Sequence, residues 1–139
     1  MLRNNNISSF TKKLEWDKIP KKHFWHRQLY VITAPFEYIT EAGEKIEIEV
    51  GFVLDFASTP RVIRWLYPAI GWYAKAVAIH DKGYRDHNGK PKGWWDDIMV
   101  EAMKVIARNL TGKITKRYKR DIAIFYWAVD RFGEKAWNK

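Results

Sequence analysis

Gly71-Trp72-Tyr73-Ala74-Lys75-Ala76-Val77-Ala78-Ile79-His80-Asp81-Lys82-Gly83-Tyr84-Arg85 is the stretch around which the chain is organised. It is rich in alanine and holds no proline and no β-branched run, so it predicts a helix, closed near its end by Gly83. Tyr73, Ala76, Val77, His80 and Tyr84 recur at spacings of three and four and share one face, which is apolar apart from His80. Asp81 sits about 100° further round, beside Ala74, Val77 and Ala78. A histidine and an aspartate entering a core together need partners, because an unpaired buried charge costs several kcal/mol.

Working outward toward the C-terminus, Asp86 to Gly93 is a turn-rich loop placed to cover a site. Trp94 to about Arg108 reads as a helix with Asp96, Met99, Met103 and Ile106 on one face, broken by Asn109-Leu110-Thr111-Gly112. The last helix runs from about Thr115 to Arg131 and is apolar nearly all round from Ala123 to Val129, which predicts a central position. Toward the N-terminus, Ser58-Thr59-Pro60 is a helix-start signature, a capping hydroxyl followed by proline at the first helical position. A short helix over Arg61 to Tyr67 follows, stopped by Pro68.

Before that start, Ile46, Ile48, Val50, Phe52 and Leu54 alternate with Lys45, Glu47, Glu49 and Gly51, the pattern of a one-faced strand. Gln28 to Ala34 and Phe36 to Ile39 read as two further strands, with a turn at Glu41 to Glu44. Residues 1–27 are polar and basic, with Trp16, Phe24 and Trp25 interleaved, and read as an arm; His23 and His26 there read as surface residues. The expectation is an α+β chain: a basic N-terminal arm over 1–27, then one domain over 28–139. That domain would be a small antiparallel sheet (about 28–55) followed by a layer of three to four helices.

Composition narrows the function. The 139 residues contain no cysteine, which excludes disulfides, thiolate metal sites and a cysteine nucleophile. Aromatic residues make up 16% and tryptophans number eight, enough for an ordered core. No apolar run approaches the ~20 residues of a membrane span, and no signal peptide is seen at Met1-Leu2-Arg3-Asn4-Asn5-Asn6, so a soluble intracellular protein is expected. The formal charge of +9 favours anionic partners: nucleic acid, anionic headgroups or acidic protein surfaces. Lys113, Lys116, Arg117, Lys119 and Arg120 lie in or before the first turns of the last helix, where the helix dipole disfavours cations. Lys116, Arg117 and Arg120 are therefore the candidate anion-binding residues, with a solvated face as the plain alternative.

Candidate chemistry rests on Asp55, His80, Asp81, Tyr84, Arg85 and Asp96. Adjacent helices joined by a modest loop pack antiparallel, which brings Asp96 back beside His80. A carboxylate there would hold one imidazole nitrogen and leave the other as a base. Asp81 with Asp55 would hold a divalent cation (calcium, magnesium, manganese or zinc) while His80 activates a water. Ser58 as nucleophile is the lesser reading, since capping explains it and no glycine elbow surrounds it.

Gly51-Phe52-Val53-Leu54-Asp55-Phe56-Ala57-Ser58-Thr59-Pro60 resembles the signature of domain-of-unknown-function family 1353, found mainly in tailed bacteriophages and prophages. Ala78 to Arg85, Asp96 with Glu101-Ala102-Met103, and Tyr126-Trp127-Ala128-Val129 carry the same resemblance, over about residues 28 to 133. It implies a phage origin, hence host cytoplasm or virion, and supplies no activity. A second, local resemblance is to secreted phospholipases of the A-two class, in His-Asp-x-x-Tyr with an aspartate on a neighbouring helix. It implies His80 as base, Asp81 as calcium ligand, and Tyr84 and Asp96 as hydrogen-bond support. Two functions stand open. One is a metal-assisted hydrolase of an ester, amide or phosphoester. The other is a non-enzymatic virion, accessory or host-interaction protein, in which the His/Asp cluster is a buried structural network and the basic helix binds an anionic partner.

Overall fold

The computed structural model describes residues 8–23, 27–56 and 58–139, and the chain divides into two compact units, Met1–Asp55 and Phe56–Lys139. The class is α+β, with strands in the first unit and helices in the second.

In the first unit, β1 (Ser9–Phe10), β4 (Phe36–Ile39) and β5 (Lys45–Ile48) form one antiparallel sheet in the order β1-β4-β5. β2 (Trp16–Ile19), β3 (Leu29–Ile32) and β6 (Val53–Leu54) form a second, in the order β2-β3-β6. Alternation places Phe36, Tyr38, Ile46 and Ile48 in buried positions, paired as Phe36 with Ile48 and Tyr38 with Ile46.

Two expectations are corrected here. The stretch read as an arm supplies strands to both sheets. Phe10 packs on Tyr38 with ring centroids 4.6 Å apart, and Trp16 meets Tyr30 edge-on at 5.2 Å, so aromatic side chains hold these short strands in place. Phe24, Trp25 and His26 lie outside the described residues, while His23 is exposed. The long strand read over Ile46 to Leu54 is two strands in different sheets. Gly51 takes a φ of +91°, a conformation glycine adopts without strain, and Phe52 N–H closes a turn onto Glu49 O at 3.1 Å. Val50 is consequently exposed although its alternation is that of a buried residue.

The second unit is α1 (Arg61–Leu66), α2 (Ala74–Asp86), α3 (Lys92–Thr111), α4 (Lys116–Phe132) and α5 (Glu134–Trp137). α2 is the helix buried almost all round, with Ala74, Ala76, Val77, Ala78, Ile79, His80, Asp81, Gly83 and Tyr84 all inside. Gly83 does not close it. The helix runs on to Asp86, and a Cβ at Gly83 would fall within the Trp95 indole of α3, so the position leaves no room for a side chain. α4 is amphipathic, not central: Ile122, Phe125, Ala128 and Val129 are buried while Ala123, Tyr126 and Trp127 face outward. Its start is as expected, with the Thr115 hydroxyl accepting from Tyr118 N–H at 3.3 Å.

Asp121, buried on α4, accepts from Tyr67 OH at 2.8 Å and Trp72 Nε1–H at 3.2 Å. These bonds fasten the α1–α2 connection to α4. Burial and the bond to Asp121 push the Tyr67 phenol up to about 12, so it remains a donor.

Candidate functional site

Ser58 sits in the turn between β6 and α1, and its surroundings overturn its reading as a cap. α1 starts at Arg61 with Pro60 at the capping position and no side-chain cap bond. The Ser58 hydroxyl instead donates to Asp81 Oδ1 and lies 3.0 Å from His80 Nδ1. The backbone here is shaped around Asp81: Phe56 N–H donates to Oδ2 at 3.1 Å and Ser58 N–H to Oδ1 at 3.2 Å. Phe56 has a φ of +57°, a left-handed conformation that a bulky side chain rarely adopts. Such strain costs about 1–3 kcal/mol and persists where the surroundings over-determine it. Arg85 Nη2 stands 3.6 Å from Asp81 Oδ2, one helical turn along.

The other half of the cluster is built on α2 and α3. His80 Nε2 lies 2.7 Å from Asp96 Oδ1, and Tyr84 OH donates to the same oxygen at 2.7 Å. Lys92 Nζ donates to Asp96 Oδ2 at 2.9 Å and to Val129 O at 2.9 Å, so it joins α3 to the end of α4. Burial alone would raise the Asp96 carboxyl; the bonds from His80, Lys92 and Tyr84 outweigh it and hold the group below the ordinary carboxylate value. Burial and the bond to Asp96 drive the Tyr84 phenol far above its usual value, which keeps it a donor. An ionised Asp96 only accepts, so His80 Nε2 carries a hydrogen and Nδ1 is the nitrogen turned to Ser58.

The result is a continuous chain, Arg85–Asp81–Ser58–His80–Asp96, with Tyr84 and Lys92 closing on Asp96. Within it, the adjacent residues His80 and Asp81 are joined through one serine hydroxyl. His80 is 1% exposed, and Asp81, Asp96 and Ser58 are buried with it.

A model of the family described as "Protein of unknown function (DUF1353)" matches residues 30–139. The chain belongs to that family. The DUF1353 match contains every residue of the buried chain, and the family's description attaches no activity to them. No curated protein and no solved structure matches the chain.

Of the residues singled out in sequence, this DUF1353 member brings together Ser58, His80, Asp81, Tyr84, Arg85 and Asp96. Asp55 ends the first unit, where its carbonyl accepts from Arg27 Nη1 at 2.7 Å. The surroundings of Asp81 do not suit a cation, since two N–H groups, a hydroxyl and a guanidinium face it and a cation needs acceptors. Among the described residues, no group of three or more His, Asp or Glu side chains is placed to hold a metal ion. Lys116, Arg117 and Arg120 lie exposed on the first two turns of α4, with Arg120 Nη2 3.4 Å from Asp121 Oδ1. The member that sequence reasoning missed is Lys92, which fell within the expected loop. Its signal was the spacing of four to Asp96, the helical distance for an ion pair.

Proposed function

We propose that the Phe56–Lys139 unit is a hydrolase of the acyl- or phosphoryl-transfer type, with His80 as general base, Asp96 as its orienting carboxylate and Ser58 as the attacking hydroxyl. The observation that carries the reading is the line Ser58–His80–Asp96, with 3.0 Å and 2.7 Å on the two sides of one imidazole. The Ser58 O–H, turned from Asp81 Oδ1 to His80 Nδ1, would pass its proton to that nitrogen as Oγ adds to the ester, amide or phosphoester centre. His80 would then return that proton to the leaving group, and water would release the product by the reverse sequence.

Such a cluster is weak evidence of a purely stabilising role, because apolar replacements of buried ionic groups are often neutral or stabilising by about 1–4 kcal/mol. Strain at Phe56, beside the attacking hydroxyl, supports the same reading. The family resemblance suggests a phage setting, in which cell-envelope lipid or peptidoglycan is a fitting substrate class. The test is hydrolysis of p-nitrophenyl esters and phosphoesters by wild type, Ser58→Ala and His80→Ala, each checked for cooperative melting. Turnover abolished in both folded variants is the expected result; turnover unchanged in His80→Ala overturns the reading.

A second reading has its own support. With His80 1% exposed and each ring nitrogen already facing a protein partner, the cluster also fits a structural network that fixes Phe56 and Ser58 to α2, and α2 to α3. The protein would then act through its surface, as a virion, accessory or host-interaction protein whose cations on α4 meet an anionic partner. Absence of turnover on every substrate class, with large losses of stability in His80→Ala, would favour it.

A further inference from the structure

Among the described residues the most exposed large apolar side chain is Trp65, at 82%, and its neighbour Leu66 is 52% exposed. Both are on α1, whose buried residue is Ile63. Trp65 points about 200° away from Ile63 round the helix, directly outward. Arg61, four residues earlier, shares that outward face, and Arg64 lies beside it, so a tryptophan and a leucine are bordered by two exposed cations.

More positive charge arrives from α4. Tyr67, next along from Leu66, hydrogen-bonds Asp121 at 2.8 Å, and the charges of Arg120 and Arg117 act on its hydroxyl. Lys116 and Lys119 flank them, exposed, on the same two turns. Neither α1 nor α4 has an acidic residue in its first turn to offset this charge.

We propose that the junction of α1 and α4 is a docking surface for an anionic lipid bilayer, with Trp65 and Leu66 entering the headgroup boundary and Arg61, Arg64, Lys116 and Arg117 meeting lipid phosphates. Charge complementarity selects an anionic partner. The apolar pair selects lipid over nucleic acid: a leucine has no flat face to stack on a base and no group to bond one, whereas a Trp–Leu pair suits the boundary between headgroup and acyl chain. No helix among the described residues is long and apolar enough to cross a membrane, so the contact is with its surface. The proposal gives a lipid identity to the anionic partner of the second reading and does not depend on turnover at His80.

The experiment is co-sedimentation of the full chain with phosphatidylcholine vesicles, with and without phosphatidylglycerol, alongside binding to a double-stranded DNA oligonucleotide. Wild type is expected to bind the phosphatidylglycerol vesicles selectively. Trp65→Ala/Leu66→Ala should bind at least about tenfold more weakly, as should Lys116→Gln/Arg117→Gln, both retaining the wild-type melt because the altered side chains are exposed. Equal binding by the Trp65/Leu66 variant, equal binding to pure phosphatidylcholine, or binding to DNA without vesicles would each overturn the proposal. Vesicle binding can fail while ester turnover persists, and the reverse, so the two readings are separately at risk.

Discussion

Ser58 Oγ lies 3.0 Å from His80 Nδ1, the ring nitrogen that Asp96 does not hold, and the same hydroxyl donates to Asp81. One oxygen therefore serves two neighbours on α2 that point in different directions. Ser58→Ala removes a donor from Asp81 and leaves Nδ1 facing a methyl group. The expected cost is about 1–3 kcal/mol in urea unfolding, the range for stranding a buried polar group. Turnover, if the hydrolase reading holds, should fall to background in the same variant. Wild-type stability in Ser58→Ala would contradict the hydrogen-bonded chain.

Acid should undo the cluster through Asp96. Its folded carboxyl is held below the ordinary value of 3.8, so the stabilisation is complete above that value and is lost as pH falls through the lower, folded one. Wild type should lose stability progressively below about pH 4, and Asp96→Asn, less stable at neutral pH, should show a shallower acid limb. Parallel limbs in the two proteins would remove Asp96 as the source.

Lys92→Met tests the cation that the carboxylate faces. It keeps an unbranched side chain one atom shorter and removes the ammonium group that stands 2.9 Å from Asp96 Oδ2 and donates to Val129 O. Breaking a buried pair from one side costs about 3–5 kcal/mol, and the low end applies because His80 and Tyr84 still serve Oδ1. Chemical denaturation of the variant reads this directly. A loss within error of zero would assign the stabilisation of Asp96 to the other two donors.

Divalent cations give a fourth test. Donors surround Asp81, so calcium, magnesium, manganese and zinc are each expected to leave the melting temperature unchanged. A ligand at a hundred times its dissociation constant adds about 2.7 kcal/mol, easily seen in a melt. A rise with one metal that disappears in Asp81→Asn would place a cation there and displace Arg85 from its role.

The pairing of His80 with Asp96 was legible because it depends on local rules: helical periodicity places His80 on an inward face, and a short connection folds α3 back along α2. The bond from Ser58 was not, since Ser-Thr-Pro is equally a capping sequence and the hydroxyl's partners lie 22 and 23 residues away. The strand break at Gly51 was hidden by an alternation that continues through Leu54. What ends the pairing is a backbone angle, and hydrophobic pattern does not record it. β1 and β2 escaped notice because two- and four-residue strands carry little periodic signal. Their partners, Ile39 for Ser9 and Ile32 for Trp16, come from distant sequence.

Gly83 has a consequence for how the protein can change over time. The gap between α2 and α3 that lets His80 reach Asp96 is set by a missing side chain, with the Trp95 indole occupying the space where a Cβ would be. A single step to alanine forces the Trp95 indole or its helix to move, and a single step from tryptophan to a smaller residue opens a void. Each position is trapped by the other, and only a paired exchange leads from one workable spacing to another. Such a pair should drift together or not at all, and any relative that has exchanged it would carry its histidine–aspartate contact on a different helix separation.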